Sequence, residues 1–140
     1  MSITESQKIV WEDEYSVGVK LIDDQHKMFF SIINELVEAI NNKIDKETIT
    51  GILEQLVQYK KFHFATEERY FKEFNYENTD DHMARHREFN AHLKKIKEKN
   101  DGDMLTLSFD LVDFIEDWFV KHILNIDQQY KECFRSHGLK

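Results

Sequence analysis

Apolar side chains, with a few histidines among them, recur along this chain at alternating steps of three and four residues. That spacing marks one face of an α-helix. It predicts helices at about 22–41, 46–74, 80–98 and 104–132, preceded by an irregular arm at 1–20. Because the connections are short, neighbouring helices should reverse direction. We therefore expect residues 1–140 to form a single all-α domain, an antiparallel up-down-up-down four-helix bundle with an N-terminal arm.

Composition agrees with long, uninterrupted helices. Among 140 residues, 41% are hydrophobic, proline is absent and glycine occurs four times. Residues that break helices are therefore scarce, and there is enough apolar material for one core. Asp45 is placed to cap the second helix, and the polar run at 100–103 predicts the turn before the fourth. In the arm, Trp11, Tyr15 and Val17 should lie across the bundle and cover apolar surface.

Charge and cysteine content exclude several classes of protein. The formal charge is −8, which is unsuited to binding the phosphates of nucleic acid. No run approaches the ~20 apolar residues of a membrane span, and the first residues do not form a secretion signal. The lone Cys133 has no disulfide partner and belongs to no thiolate metal motif. We expect a cytoplasmic monomer without a membrane or nucleic-acid partner.

Several polar residues fall on the stripes that should face the core. One buried histidine would be an ordinary hydrogen-bonded core residue, but a whole set needs a common partner, because burying unpaired polar groups is unfavourable. They occur at the start of the first and third helices and at the finish of the second and fourth, positions that share one end of an antiparallel bundle. The predicted layer comprises His26, His63, Glu67, His82, His86, His122 and Asp127.

Spacing within the helices supports this layer. His63 and Glu67 are four residues apart, as are His82 and His86, so both members of each pair point the same way. His122 is five residues before Asp127, a spacing that splays side chains by about 140° on an ideal helix. We therefore predict a π-type bulge or a local break between these two residues.

The donor types favour a pair of metal ions. Five imidazoles and two carboxylates suit iron, manganese, cobalt or zinc, and the absence of thiolates argues against structural zinc. Seven side chains exceed the needs of one ion. With two six-coordinate ions, both carboxylates bridging and one bridging oxygen atom, one coordination position stays open for a small ligand.

The combined pattern H…HxxxE…HxxxH…HxxxxD resembles the hemerythrin family, and the lead-in from Trp11 to His26 is similar to its bacterial members. The resemblance spans about Trp11 to Tyr130. It implies two irons with a bridging oxo or hydroxo group and with both carboxylates, Glu67 and Asp127, as bridges. The remaining ligands it implies are His82, His86 and His122 for one iron, and His26 and His63 for the other.

In that family, oxygen binds reversibly at the iron with two histidines while both irons pass from ferrous to ferric, and the oxidised site attracts anions such as azide. The resemblance implies an oxygen carrier, store or delivery protein and not an enzyme. The alternatives are a di-iron oxidase or peroxidase and an oxygen or redox sensor module. Carboxylate-rich ferritin-like enzymes differ from this site, where two of seven ligands are acidic.

A reversible oxygen site also needs a dry pocket. Four apolar residues that flank the ligands in sequence are candidates for its wall, although they can equally be ordinary core residues. They are Phe64, Trp118, Phe119 and Ile123. His92 and His137 fit no ligand position, so we expect them at the surface.

Overall fold

Four long helices form most of the molecule. The computed structural model describes residues 9–42, 44–99 and 103–140, and at 119–121 the backbone alone. The helices are α1 (Lys20–Asn42), α2 (Lys46–Glu73), α3 (Thr79–Lys99) and α4 (Met104–Lys121). No β-strand occurs in these ranges, so the predicted all-α class is confirmed. Most of the predicted turn at 100–103 lies outside the described residues, and only Asp103 is described.

Neighbouring helices run in opposite directions. Near the start of α1, Gln25 donates from Nε2 to Thr66 Oγ1 late in α2, at 3.3 Å. One turn later in α1, the ring of Phe29 stacks on that of Tyr59, an earlier residue of α2, at 5.4 Å. α3 packs against α2 and α4, and α4 packs against α1. This arrangement is the predicted antiparallel bundle. Capping follows the prediction where α2 begins, since Asp45 accepts from the Thr48 amide at 2.8 Å.

The end of the fourth helix departs from a single regular segment at 104–132. After α4, the chain forms a π-helical turn (His122–Ile126), a short 3-10 turn (Asp127–Tyr130) and a separate helix α5 (Lys131–Ser136). The π turn was predicted from the spacing of His122 and Asp127. The tighter 3-10 turn that follows was not predicted.

The arm packs across α1 as predicted. Both Trp11 and Tyr15 contact Phe30, with ring centroids 5.3 and 5.2 Å away. Ile9 is held by the amide of Asn34, which accepts from the Ile9 nitrogen at 2.7 Å and donates to its carbonyl at 2.9 Å. These contacts cover the outer side of α1, so the tryptophan of the arm has a packing role.

A tight link joins the arm to α1. The carboxylate of Asp23 accepts from Ser16 Oγ at 2.6 Å and from the Val17 amide at 2.9 Å. Gly18 has a φ of 70°, and a Cβ atom there would meet Arg135 Nη1 at 2.8 Å. The positive φ therefore favours glycine at this position, and a larger residue would also displace the end of the Arg135 side chain.

Two apolar clusters make up the interior. The larger, here the long core, fills the bundle from its far end toward the middle and includes Leu36, Ile49, Leu56, Leu111 and Ile115. The smaller, here the end cluster, consists of Val17, Val19, Ile22, Phe71, Tyr76, Tyr130 and Phe134. Within the described ranges, no helix is both long enough and apolar enough to cross a membrane.

Candidate metal centre

Seven ionisable side chains form a layer between the long core and the end cluster. On one side of the layer, the ring of Phe64 stacks on His86 at 3.8 Å; on the other, Phe71 lies 4.7 Å from His82. Each member of the layer is at most 2% exposed. The structure thus brings together all of the residues that the sequence placed there: His26, His63, Glu67, His82, His86, His122 and Asp127.

The π-helical turn carries Asp127 into this layer. In a regular α-helix, residues 122 and 127 would point in directions about 140° apart. The wider turn over His122–Ile126 removes most of that angle. As a result, Asp127 Oδ1 lies 2.8 Å from His122 Nε2, and the carboxylate is fully buried.

The two oxygens of Asp127 face opposite halves of the layer. Oδ1 is 2.8 Å from Nε2 of His122 and 3.1 Å from Nε2 of His82. Oδ2 is 3.1 Å from Nε2 of His26. A carboxylate with one oxygen toward each histidine group is oriented as a bridge between two cations.

Glu67 reaches both halves through one oxygen. Its Oε1 is 2.9 Å from His86 Nε2 on one side and 3.5 Å from His63 Nε2 on the other. Its Oε2 accepts a hydrogen bond of 2.6 Å from the hydroxyl of Tyr130. The two carboxylates are therefore not equivalent, because a tyrosine fixes the orientation of Glu67.

The donor atoms fit bound cations better than they fit one another. Both ring nitrogens of His26 and His82, Nε2 of His122 and both oxygens of Asp127 are buried, and in the described part of the chain none of them makes a hydrogen bond of good geometry, although several lie 2.8–3.1 Å from one another. Such orphaned groups are unfavourable by about 1–3 kcal/mol each. Metal–ligand bonds of about 2.0–2.2 Å at right angles place adjacent donors about 3 Å apart, close to the separations found here.

Two overlapping groups of four donors meet the distance requirement for a cation. In each, one donor atom per residue lies within 4.8 Å of all the others. The first group is Glu67, His82, His86 and His122; the second is His26, His63, Glu67 and Asp127. Glu67 belongs to both, which is the arrangement expected of two neighbouring ions.

A small apolar pocket borders the second group. Its space is about 10 Å³, near the threshold for one water-sized molecule. It is lined by His26, Phe29, Tyr59, Lys60, His63, Phe64, Phe89, Trp118 and Ile123. Three of the four predicted wall residues, Phe64, Trp118 and Ile123, are among them. The side chain of Phe119 lies outside the described part of the structure.

Comparison with known proteins identifies the family. The model of the hemerythrin HHE cation binding domain matches residues 17–134. The chain belongs to the hemerythrin family. It is similar to the bacteriohemerythrin of Clostridium acetobutylicum, with 33% identity over 86% of this chain and 97% of the relative. The bacteriohemerythrin of Pseudomonas aeruginosa is 28% identical over 91% of this chain and 82% of its own length.

A solved structure supports the family assignment. A crystal structure titled as a hemerythrin mutant superposes with a TM-score of 0.80 at 27% identity, covering 89% of this chain and 95% of the other. The family resemblance inferred from the sequence motifs is thus confirmed. The description of the family model as cation binding also agrees with the donor groups of this chain.

Three side chains that support the hemerythrin layer were missed by sequence reasoning. Gln25 Oε1 accepts from His63 Nδ1 at 2.6 Å, and Glu68 Oε2 accepts from His86 Nδ1 at 2.8 Å. With Nδ1 occupied in this way, Nε2 of each ring is left facing the layer. Tyr130 is the third. Gln25 and Glu68 are each adjacent in sequence to a predicted layer residue, which is the one signal that could have found them.

Burial and neighbouring charges shift the pKa values of the layer's side chains in opposite directions. Burial lowers the pKa of His63 to about 4. For His82, burial alone would lower the pKa, but contacts with the carboxylates of Asp127 and Glu67 outweigh it and raise the pKa to about 10. The histidines around them hold the pKa values of both carboxyl groups well below the ordinary range, despite burial and mutual repulsion. Both carboxylates are therefore ionised and available as metal ligands.

The two histidines that fit no ligand position lie outside the layer. His92 and His137 are both exposed, as expected. The ring of His92 lies 5.2 Å from Phe114, and that of His137 stacks on Phe74 at 4.6 Å. Cys133 is half-buried near the chain end and has no disulfide. None of these residues reaches the layer.

Proposed function

We propose that this chain binds molecular oxygen reversibly at a pair of iron ions and acts as an oxygen carrier, store or delivery protein. The observation that supports this best is the carboxylate of Asp127, whose oxygens lie within about 3 Å of imidazoles from opposite groups. A single metal ion would not require such a divided carboxylate. Membership of the hemerythrin family selects iron from the metals that the donor set suits.

In this proposal the histidines divide as the family pattern implies. One iron is held by His82, His86 and His122, and the other by His26 and His63. Glu67 and Asp127 would each hold both irons, which would also share an oxo or hydroxo group. A carboxylate oxygen has two lone pairs, so Glu67 Oε2 can bind a metal and still accept from Tyr130. When bound, the irons would supply the ferrous–ferric redox chemistry that oxygen binding needs.

The chain's own residues determine where a small ligand can approach. The apolar pocket touches His26 and His63, which belong to the group with two histidines and not to the group with three. Apolar side chains form most of its wall. Ile123 is 1% exposed and Phe64 is 7% exposed, so this wall excludes bulk water. A dry pocket beside the open position lets oxygen enter while limiting proton delivery, and slow proton delivery favours reversible binding over irreversible oxidation.

The composition of the layer favours oxygen binding over oxygen cleavage. Enzymes of the ferritin-like class surround their irons with four acidic ligands, which stabilise high-valent iron. Here Glu67 and Asp127 are the two acidic members among seven, and each lies near histidines on both sides of the layer. We therefore propose a binding protein and not an oxidase. For the oxidised form, the same reasoning proposes binding of small anions such as azide.

An optical experiment tests this function. The protein is loaded with iron and reduced without oxygen, then exposed to air and finally depleted of oxygen. We expect a charge-transfer band that appears with air and disappears on removal of oxygen, over repeated cycles. A single conversion that does not reverse would contradict the carrier proposal and indicate an oxidase or a rapidly autoxidising sensor. His122→Ala should abolish the band. His92→Ala is the matched control, because His92 is an exposed histidine of α3, and this variant should retain the band.

A further inference from the structure

A lysine side chain forms part of the wall of the apolar pocket. Lys60 lies on α2, three residues before His63, and is half-buried. Of the residues that line the pocket, it is the one charged side chain that is not a candidate ligand. Long lysine side chains typically lay the alkyl part on apolar surface and keep the ammonium in water. Lys60 therefore places a positive charge at the outer end of this pocket.

Two further lysines strengthen that charge. Lys61 on α2 and Lys97 on α3 are exposed. Burial lowers the pKa of Lys60, and the nearby charges of Lys61 and Lys97 lower it further. The chain as a whole carries a formal charge of −8, so this part of the surface has the opposite sign to the average. A cationic patch at the mouth of a low-dielectric pocket raises the local concentration of anions.

The other opening toward the layer lacks this property. A cleft of about 300 Å³ between α3 and α4 also reaches Trp118 and His122. Its one arginine, Arg85, is 3.2 Å from Glu88 and 3.6 Å from Asp81, and Asp117 also lines the cleft. The positive charge there is neutralised locally, so the cleft does not select anions.

We propose that Lys60 is the residue that recruits small monovalent anions to the pocket, and that it thereby determines how fast such anions reach the site relative to neutral ligands of similar size. The destination of the anion rests on the proposed function, since it is the iron held by His26 and His63. The gathering of anions at the pocket mouth rests on the position of Lys60 alone.

The first test uses the iron-loaded protein with azide as the anionic probe and oxygen as the neutral one. Lys60→Met keeps most of the length of the side chain and removes the charge. Lys61→Met removes a neighbouring charge that does not line the pocket. At low ionic strength, we expect Lys60→Met to slow azide association with the oxidised protein by about threefold or more. Oxygen association with the reduced protein should change less than about twofold, because a neutral ligand feels no steering.

The control sets the criterion for rejection. Lys61→Met should slow azide by clearly less than Lys60→Met, and added salt should remove the difference between each variant and the parent. Equal azide rates in Lys60→Met and the parent would overturn the inference. So would equal slowing in the two variants, since net charge and not the position of Lys60 would then explain the effect.

A second test needs no metal. Thiocyanate and neutral acetonitrile, two small linear probes, are each titrated into the metal-free protein at low ionic strength, and the amide chemical shifts of Tyr59 and Phe64 beside the pocket are followed. We expect Lys60→Met to reduce the thiocyanate-induced shifts about twofold or more and to leave the acetonitrile-induced shifts unchanged, and Arg85→Met, on the other cleft, to change neither. Unchanged thiocyanate-induced shifts in Lys60→Met would contradict the inference, whereas failure to bind iron would contradict the proposed function alone.

Discussion

The two halves of the bundle use different means to fill their interior. The far half is packed with apolar side chains such as Leu36, Ile49 and Leu111, each at most 1% exposed. One of its buried hydroxyls, that of Ser108, donates to the Met104 carbonyl at 2.6 Å. The near half, at comparable depth, buries the seven ionisable side chains of the layer, and several of their polar atoms lack hydrogen-bond partners.

This difference indicates which half depends on bound metal. Burial of apolar surface stabilises the far half at about 25 cal/mol per Å² whatever is bound. The same burial in the near half includes two carboxylates, Glu67 and Asp127, whose desolvation is unfavourable unless cations compensate for it. We infer that the far half provides the rigid frame and that the near half depends on its metals.

Removal of the metals should have the largest effect. Chelation should lower the free energy of unfolding by at least about 5 kcal/mol, because the metal–ligand bonds are lost and the remaining histidines compensate the two buried carboxylates only in part. For a domain of this size, that corresponds to a fall in melting temperature of about 15 °C or more. Hydrogen exchange should accelerate mainly around His26, His63 and His122, and much less around Leu36 and Ile49. Equal acceleration of hydrogen exchange in both halves would contradict the inferred difference in their dependence on metal.

A cavity in the far half should lower the stability of the protein without changing its metal content. Leu36→Ala removes a fully buried side chain of the long core and should destabilise the protein by about 2–5 kcal/mol. Iron per chain, measured in the folded protein, should remain that of the parent. His63→Ala, in the near half, should instead lose iron. If Leu36→Ala lost iron while still folded, the two halves would not be independent.

The smallest expected effect concerns the hydroxyl that fixes Glu67. Tyr130→Phe removes a hydrogen bond of 2.6 Å to a buried carboxylate and should destabilise the metal-free protein by about 1.5–3 kcal/mol. Tyr59→Phe is the matched control, because its hydroxyl is buried without a partner in the described ranges. Urea unfolding should therefore show little loss for Tyr59→Phe. Equal losses would show that the contact with Glu67 is not stabilising.

Sequence pattern was sufficient for the parts of the molecule governed by local rules. Helical periodicity gave the all-α bundle, and the five-residue spacing of His122 and Asp127 gave the π turn, since no regular helix lets both face the core. The convergence of the layer followed from antiparallel topology, because it requires helix direction and no knowledge of side-chain contacts.

Contacts set by tertiary packing could not be predicted in this way. The hydrogen bond of Tyr130 to Glu67 joins residues 63 positions apart, and that of His63 to Gln25 joins residues 38 apart. Both depend on the relative rotation of neighbouring helices, which periodicity leaves undetermined. The half-buried position of Lys60 also depends on what packs beside it, because its place on α2 is otherwise that of an ordinary surface lysine.

Metal analysis of the purified, anaerobically reconstituted protein tests the central claim most directly. A layer that holds two cations, with Asp127 divided between them, should bind about two irons per chain and lose them when His122 is replaced by alanine. His92→Ala should bind the same amount as the parent. A parent protein that binds clearly fewer than two irons per chain under these conditions would contradict the account.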